Sequence, residues 1–210
     1  MLAAFPTALY LALADDAATH TDVLPVVTSD ALVLPTAVRL AGSGPYDWGV
    51  APGGVVTVGG DAITLAAHGI RIAREWRPRR VVTGRASATS LDWTPLLADV
   101  GRGEGLTPRA DDVLCGALLA ARALGIATPS DLHVGRTSSL SASLLLAAQA
   151  GYAVSAVVDH VTNAVAGSAD AGRTRELVLA IGHTSGAGLL EGIDHLLHTT
   201  HCPLPEGIPS

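Results

Sequence analysis

The chain has 210 residues, of which 49% are hydrophobic and 15% charged, with a net charge of −6 and a mean hydropathy of +0.40. That length supports one large core or two small ones, and the composition is too apolar for a disordered chain. An acidic balance, aromatics at only 3% and no lysine/arginine stripe or zinc-finger spacing exclude a nucleic-acid binder.

Taken in order, the N-terminal run Met1–Pro6 is apolar but lacks a basic n-region, so it does not read as a signal peptide. Ala8–Ala18 fits either a short helix or a strand. Val23–Val27 and Ala31–Pro35 read as strands, and their prolines predict edge positions. Val55–Val58 and Ala62–Leu65 flank Gly59-Gly60-Asp61 and predict a β-hairpin, with the second strand continuing towards Ile70 and Ile72. Arg71, Arg74, Arg77, Arg79 and Arg80 surround Trp76. This cluster reads as a solvated face with the tryptophan as a lid on the core, the alternative being an anion-steering rim.

Ser90–Asp99 predicts a short helix, and a long one follows Thr107 and stops at Gly125. Further helices are expected from Thr137 or Ser138 to Gly151, over Ala153–Ala166, Arg173–Ile181 and Ala187–His198. The longest uncharged run, Thr137–Val158, contains Gly151 and several hydroxyl residues, so it reads as two buried helices and not as a membrane span. The predicted organisation is α+β: a β-rich part over residues 1–100, as an antiparallel sheet or small barrel, then a helical part over 101–210. Cys115 and Cys202 show no metal or redox spacing, which fits a reduced, cytoplasmic protein.

The most informative stretch is Gly101-Arg102-Gly103-Glu104-Gly105-Leu106-Thr107-Pro108-Arg109-Ala110-Asp111-Asp112. Thr107 suits the N-cap and Pro108 the first helical position. The helix dipole favours ionised Asp111 and Asp112 in the first turns. Free N–H groups of the glycine turn form a plausible cradle for a phosphate or carboxylate, with Arg102 or Arg109 adding charge. No Gly-Lys-Ser/Thr follows, so it is not a P-loop. The two acids repel a bare anion. They would instead orient an arginine, a substrate amide or a hydrated Mg²⁺, or else cap the helix and pair with Arg102 or Arg136. Thr137, Ser138, Ser139 and Ser141 open a second helix, and capping explains one or two of them. His183 lies in the turn Gly182-His183-Thr184-Ser185-Gly186, either as an acid/base group or as part of another cap. His195, His198 and His201 follow an i, i+3, i+6 spacing, which reads as a fraying helix end ahead of a metal site.

Three signatures then line up. They are Gly-x-Gly-x-Gly-Leu-Thr-Pro-x-x-Asp-Asp, the helix opening Arg136-Thr137-Ser138-Ser139-Leu140-Ser141-Ala142, and Gly182–Gly186 with Leu189-Leu190-Glu191-Gly192. Together with Trp76-Arg77-Pro78 they resemble a bacterial domain-of-unknown-function family that includes one subunit of oxamate carbamoyltransferase. The chain departs from the family pattern at Arg109-Ala110, where serine-glycine is usual, and at Gly188, where an acid is common. The resemblance implies ureide degradation: carbamoyl transfer between oxalurate and phosphate, yielding oxamate and carbamoyl phosphate, by an enzyme of several different subunits. The expected partners are therefore a small anionic substrate (phosphate, carbamoyl phosphate, oxamate or oxalurate) and other protein subunits or further copies of the chain.

With the resemblance included, Asp111, Asp112 and His183 are the expected catalytic groups. Gly103, Gly105, Thr107, Arg109, Thr137, Ser138 and Ser185 are the expected substrate-binding groups. The sequence requires no cofactor, and Mg²⁺ is the ion that the paired acids would suit, with water and substrate as its remaining ligands. A non-catalytic binding or assembly subunit is the alternative. A stand-alone hydrolase is disfavoured, because no complete nucleophile–base–orienter set can be named.

Overall fold

The structure, a computed structural model, describes residues 1–13, 22–66 and 68–201. Residues 14–18 of the first predicted element and Cys202 lie outside the described residues. The organisation is α+β, with all the strands at residues 3–71 and the helices at 94–201. The chain divides into two compact units, Met1–Arg79 and Arg80–Ser210.

In the first unit, β1 (Ala3–Phe5), β2 (Ala8–Ala12), β3 (Val23–Val27) and β4 (Val38–Arg39) form a sheet in that order. The β1–β2 and β2–β3 pairs are antiparallel and β3–β4 is parallel. Ala8–Ala12 is thus a strand. Its period-two alternation sends Leu9 and Leu11 into one buried cluster with Val26 and Trp48, and Ala8 into another with Val27 and Ala37. With both faces covered, propensity gives way to packing.

Two expectations are corrected here. Pro25 does not mark an edge, because β3 lies between β2 and β4. The bonds Thr28 N–H to Thr7 O and Leu13 N–H to Asp22 O set the alternation of the β2–β3 ladder. Pro25 then faces Tyr10 at a non-hydrogen-bonded pair. Its missing donor points to the other side, where β4 reaches only Val26 and Val27. Ala31–Pro35 is not a strand. It is held in turns by Ala31 N–H to Thr28 O and Ala37 N–H to Leu34 O, and the strand comes later, at Val38.

The hairpin forms as β5 (Thr57–Gly59) and β6 (Ala62–Thr64). Gly60 and Asp61 both have positive φ, at 55° and 63°, as the two-residue turn matching strand twist requires. Ile70 belongs to a separate antiparallel strand, β7 (Gly69–Arg71), and not to a continuation of β6. The five arginines that follow are solvent-exposed. Trp76, 42% exposed, donates its indole N–H to Ala37 O and so ties this segment back to the unit.

The second unit contains α1 (Thr94–Ala98), α2 (Arg109–Leu124), a 3₁₀ turn (Val134–Arg136), α3 (Ser139–Gln149), α4 (Ser155–Val165), α5 (Ala171–Leu179) and α6 (Ser185–His201). Every residue from Asp111 to Ala121 is buried, so α2 is the central helix. Gly125 ends it in the left-handed region at φ 71°. The stretches flanking α1 pack with the helices: Val81 and Trp93 before it and Val100 after it join the core around Leu114, Leu118 and Leu145. Arg122 reinforces this by donating its Nε–H to Val81 O. Among the described residues, no helix is long and apolar enough to cross a membrane.

The contact between α2 and α6 is unusually close. A Cβ on Gly116 would stand 2.0 Å from Leu189 O, and one on Gly192 would stand 1.9 Å from Val113 O. Both distances are impossible for a side chain, so the two backbones meet directly across glycines. This closeness brings the start of α6 over the first turn of α2.

Candidate functional site

The three sequence signatures lie apart in the chain, and the helices bring them together. The glycine turn after α1 is set by backbone contact. Gly101 has φ +83°, and a Cβ there would stand 2.1 Å from Arg136 O. This places the first signature against the second. Gly103 and Gly105, at φ +126° and +88°, carry the exposed part of the turn.

Here α2 starts differently from expectation. Pro108, with φ −53° and ψ 139°, is the N-cap and carries no side-chain cap. Thr107 stands one residue earlier, and its hydroxyl lies 3.3 Å from Ser185 Oγ at the start of α6. Proline supplies the preset φ of a helix entry, and the threonine is left to bridge two helices.

Ser138 caps α3, its Oγ accepting from Ser141 N–H at 3.1 Å. The same hydroxyl donates to Leu106 O at 2.5 Å, which ties the α3 start to the glycine turn. The N-termini of α2, α3 and α6 therefore converge on residues 101–108. Each presents the positive end of a helix dipole.

The paired acids have opposite surroundings. Asp111 is wholly buried and accepts three hydrogen bonds, from Gly101 N–H at 2.8 Å, Ser141 Oγ at 2.6 Å and the Thr137 hydroxyl. It is a tie between the glycine turn, α2 and α3. Asp112, 7% exposed, faces α6 instead, and its Oδ2 has no hydrogen-bond partner. Burial pushes its carboxyl from the ordinary 3.8 up to about 6, against a Ser185 hydrogen bond that favours the charged form. The Asp111 charge adds to the rise and the Arg109 charge opposes it. Gly188, the position where the resembled family often has an acid, lies directly against this residue. A Cβ there would meet the Asp112 Cβ at 2.9 Å.

Arg109 is exposed and pairs with Glu191 of α6 at 2.5 Å. Arg102 bonds Asp99 at 2.7 Å, and Arg136 donates to the carbonyls of Leu97 and Ala98. Neither arginine pairs with Asp111 or Asp112. His183 is exposed in the turn that leads into Ser185 and is not hydrogen-bonded to either acid. Ser185 itself is the first residue of α6, which begins two positions ahead of the expected Ala187.

The acids do not form a chelating pair, since Asp111 has its oxygens committed to internal donors. Among the described residues, no group of three histidine, cysteine or acidic side chains is placed to hold a metal ion. His195 and His198 are exposed on α6, and the side chain of His201 lies outside the described residues. Cys115 is buried one helical turn beyond the acids. Burial and then the charges of Asp112 and Asp111 raise its thiol well above the usual range, which rules out a ready thiolate. His160 is occupied elsewhere, in the α4–α5 contact, with Nδ1 3.3 Å from Thr174 Oγ1.

Sequence reasoning missed Ser141 as a site member, although its place three residues after the cap was legible as one turn into α3. Glu191 was visible only as part of a motif. Its role depends on α6 crossing α2, which no local pattern reveals.

No solved structure gives a significant match to this chain. Residues 100–197, which carry all three signatures, match the family model described as oxamate carbamoyltransferase subunit AllH.

Proposed function

We propose that this chain carries a carbamoyl-transfer site of an oxamate carbamoyltransferase, and that the site lies where α2, α3 and α6 begin. The substrates are oxalurate and phosphate. A phosphate oxygen bonds the carbamoyl carbon, the bond from that carbon to the oxamate nitrogen breaks, and that nitrogen takes one proton. Both substrates are anions, and three helix N-termini favour an anion.

Within this reading Asp111 holds the three elements in register and Asp112 faces the chemistry. A carboxyl with its pKa near 6 still holds a proton roughly a tenth of the time at pH 7, far more than an ordinary carboxyl, and can pass it to a leaving nitrogen. Thr107, Ser138 and Ser185 position the substrate, with Thr137 acting through Asp111. Gly103 and Gly105 expose turn N–H groups to the anion. His183 supplies an exposed imidazole beside Ser185.

The observation that carries the reading is the buried, unpartnered Oδ2 of Asp112 at the meeting of three helix starts. The test is a thermal-shift series with phosphate, carbamoyl phosphate, oxamate and oxalurate, followed by turnover of oxalurate with phosphate. Stabilisation by phosphate or oxamate, kept or strengthened in Asp112→Asn while turnover is lost, is the expected result. No stabilisation by any of the four overturns it.

A non-catalytic assembly subunit is the second reading. It draws on the same oxygen being shielded from solvent. In that case the purified chain is silent, and Asp112→Asn leaves the activity of the assembled enzyme unchanged.

A further inference from the structure

Three arginines lie on the loops and helix starts around the proposed site, each has a partner, and Arg109 is the one whose charge also acts on the buried Asp112. Arg102 is held by Asp99, and Arg136 by the last carbonyls of α1. Arg109, the first residue of α2, is different. Its guanidinium bonds Glu191, and its charge is felt by the buried Asp112. It therefore stands between two carboxylates on two helices. One is buried with an oxygen free, and the other is on the surface.

We propose that Arg109 is the cation that receives the anionic group of the substrate, and that Glu191 is an internal competitor that the substrate carboxylate or phosphate displaces. This rests on the site reading given above and adds what sets its affinity. Arg109 and Glu191 side chains are 53% and 51% exposed, so the pair is weak and open to exchange. A guanidinium fork binds a carboxylate or phosphate through two parallel N–H donors. An incoming anion thus exchanges one oxyanion partner for another without leaving any charge bare. The Glu191 carboxylate swings into solvent, which costs little at an exposed position.

The experiment is calorimetric titration of the full chain with inorganic phosphate, in a double-mutant cycle of Arg109→Gln and Glu191→Gln. Phosphate binding should tighten about two- to five-fold in Glu191→Gln, the range of an exposed pair removed as competitor. It should weaken by roughly tenfold or more in Arg109→Gln. The gain from Glu191→Gln should shrink when Arg109 is absent, because nothing then remains to be released. A merely structural Glu191 would not produce that coupling. Equal tightening in both backgrounds, or no tightening, overturns the exchange while leaving the site reading intact if Asp112→Asn still alters phosphate binding. Absence of phosphate binding by the unaltered chain overturns both.

Discussion

Asp111 and Asp112 are adjacent in sequence, yet roughly 100° of helical rotation sends them to different neighbours. The α3 side of α2 meets Asp111 with donors: a backbone N–H from the glycine turn and two hydroxyls from the α3 start. The α6 side meets Asp112 with Gly188 and the Ser185 hydroxyl and leaves its Oδ2 unpaired. The first side is built to hold a charge in place. The second buries a carboxyl and leaves one of its oxygens unmet, which is what the proposed proton-donor role needs.

The sharpest way to break this contrast is to delete each carboxylate in turn. Asp111→Ala removes an acceptor shared by three donors on two other elements, two of them hydroxyls that would be left facing a cavity. The expected loss of folding stability is about 3–5 kcal/mol, from unmet buried polar groups and lost packing. Urea unfolding checks this. A loss below about 1 kcal/mol would mean that Asp111 is not the tie described. Asp111→Asn should also destabilise, since its amide would point donors at donors.

Much of the site was legible in the sequence because its parts are local. A helix start at Thr137 or Ser138, with a hydroxyl as its cap, reads from the run of hydroxyl residues, and Ser138 is the cap; Gly125 reads as a stop and is one. The hairpin at Gly60-Asp61 was readable for the same reason. What was illegible depends on distance. The donors to Asp111 lie 10, 26 and 30 residues away, so no pattern inside α2 could separate its role from that of Asp112. Pro25 misled because its effect depends on which side of the ladder its nitrogen faces, and that is fixed by pairing register. Thr107 misled because a proline can enter a helix without a side-chain cap. The composition shift near residue 100 marks where helices begin, whereas the compact units divide at Arg79–Arg80, because Val81 and Trp93 pack among helices without being helical themselves.

Asp112→Asn should have the opposite sign from Asp111→Ala. The folded-state carboxyl titrates at about 6 against an ordinary 3.8, so the folded protein binds the proton more tightly than the unfolded chain does. Stability is then full below about pH 4 and falls as pH rises through about 6. At 1.36 kcal/mol per pH unit the penalty above that range is on the order of 3 kcal/mol. Asparagine keeps the shape and carries no charge. The variant should therefore be more stable than the parent above pH 6, by up to roughly that amount, and similar to it near pH 4. Thermal melts across pH 4–8 check the crossover. Parallel curves would show that Asp112 pays no burial cost, and the contrast with Asp111 would collapse.

The smallest expected effect is the finest probe of the same contrast. Ser185 is the one hydroxyl that favours the charged form of Asp112, so Ser185→Ala should raise that carboxyl above about 6. The loss of stability with rising pH should then extend to higher pH, with an added cost of about 1 kcal/mol above neutrality and little change near pH 4. Thr107, 3.3 Å from the same hydroxyl, would lose its partner but sits at an intermediate position where water can replace it. Thr107→Val in the Ser185→Ala background should therefore add almost nothing to the pH dependence. An equal shift from Thr107→Val alone would mean that the hydroxyl pair acts on Asp112 as a unit, and the α6 side of the site would be a hydrogen-bond chain instead of a single contact.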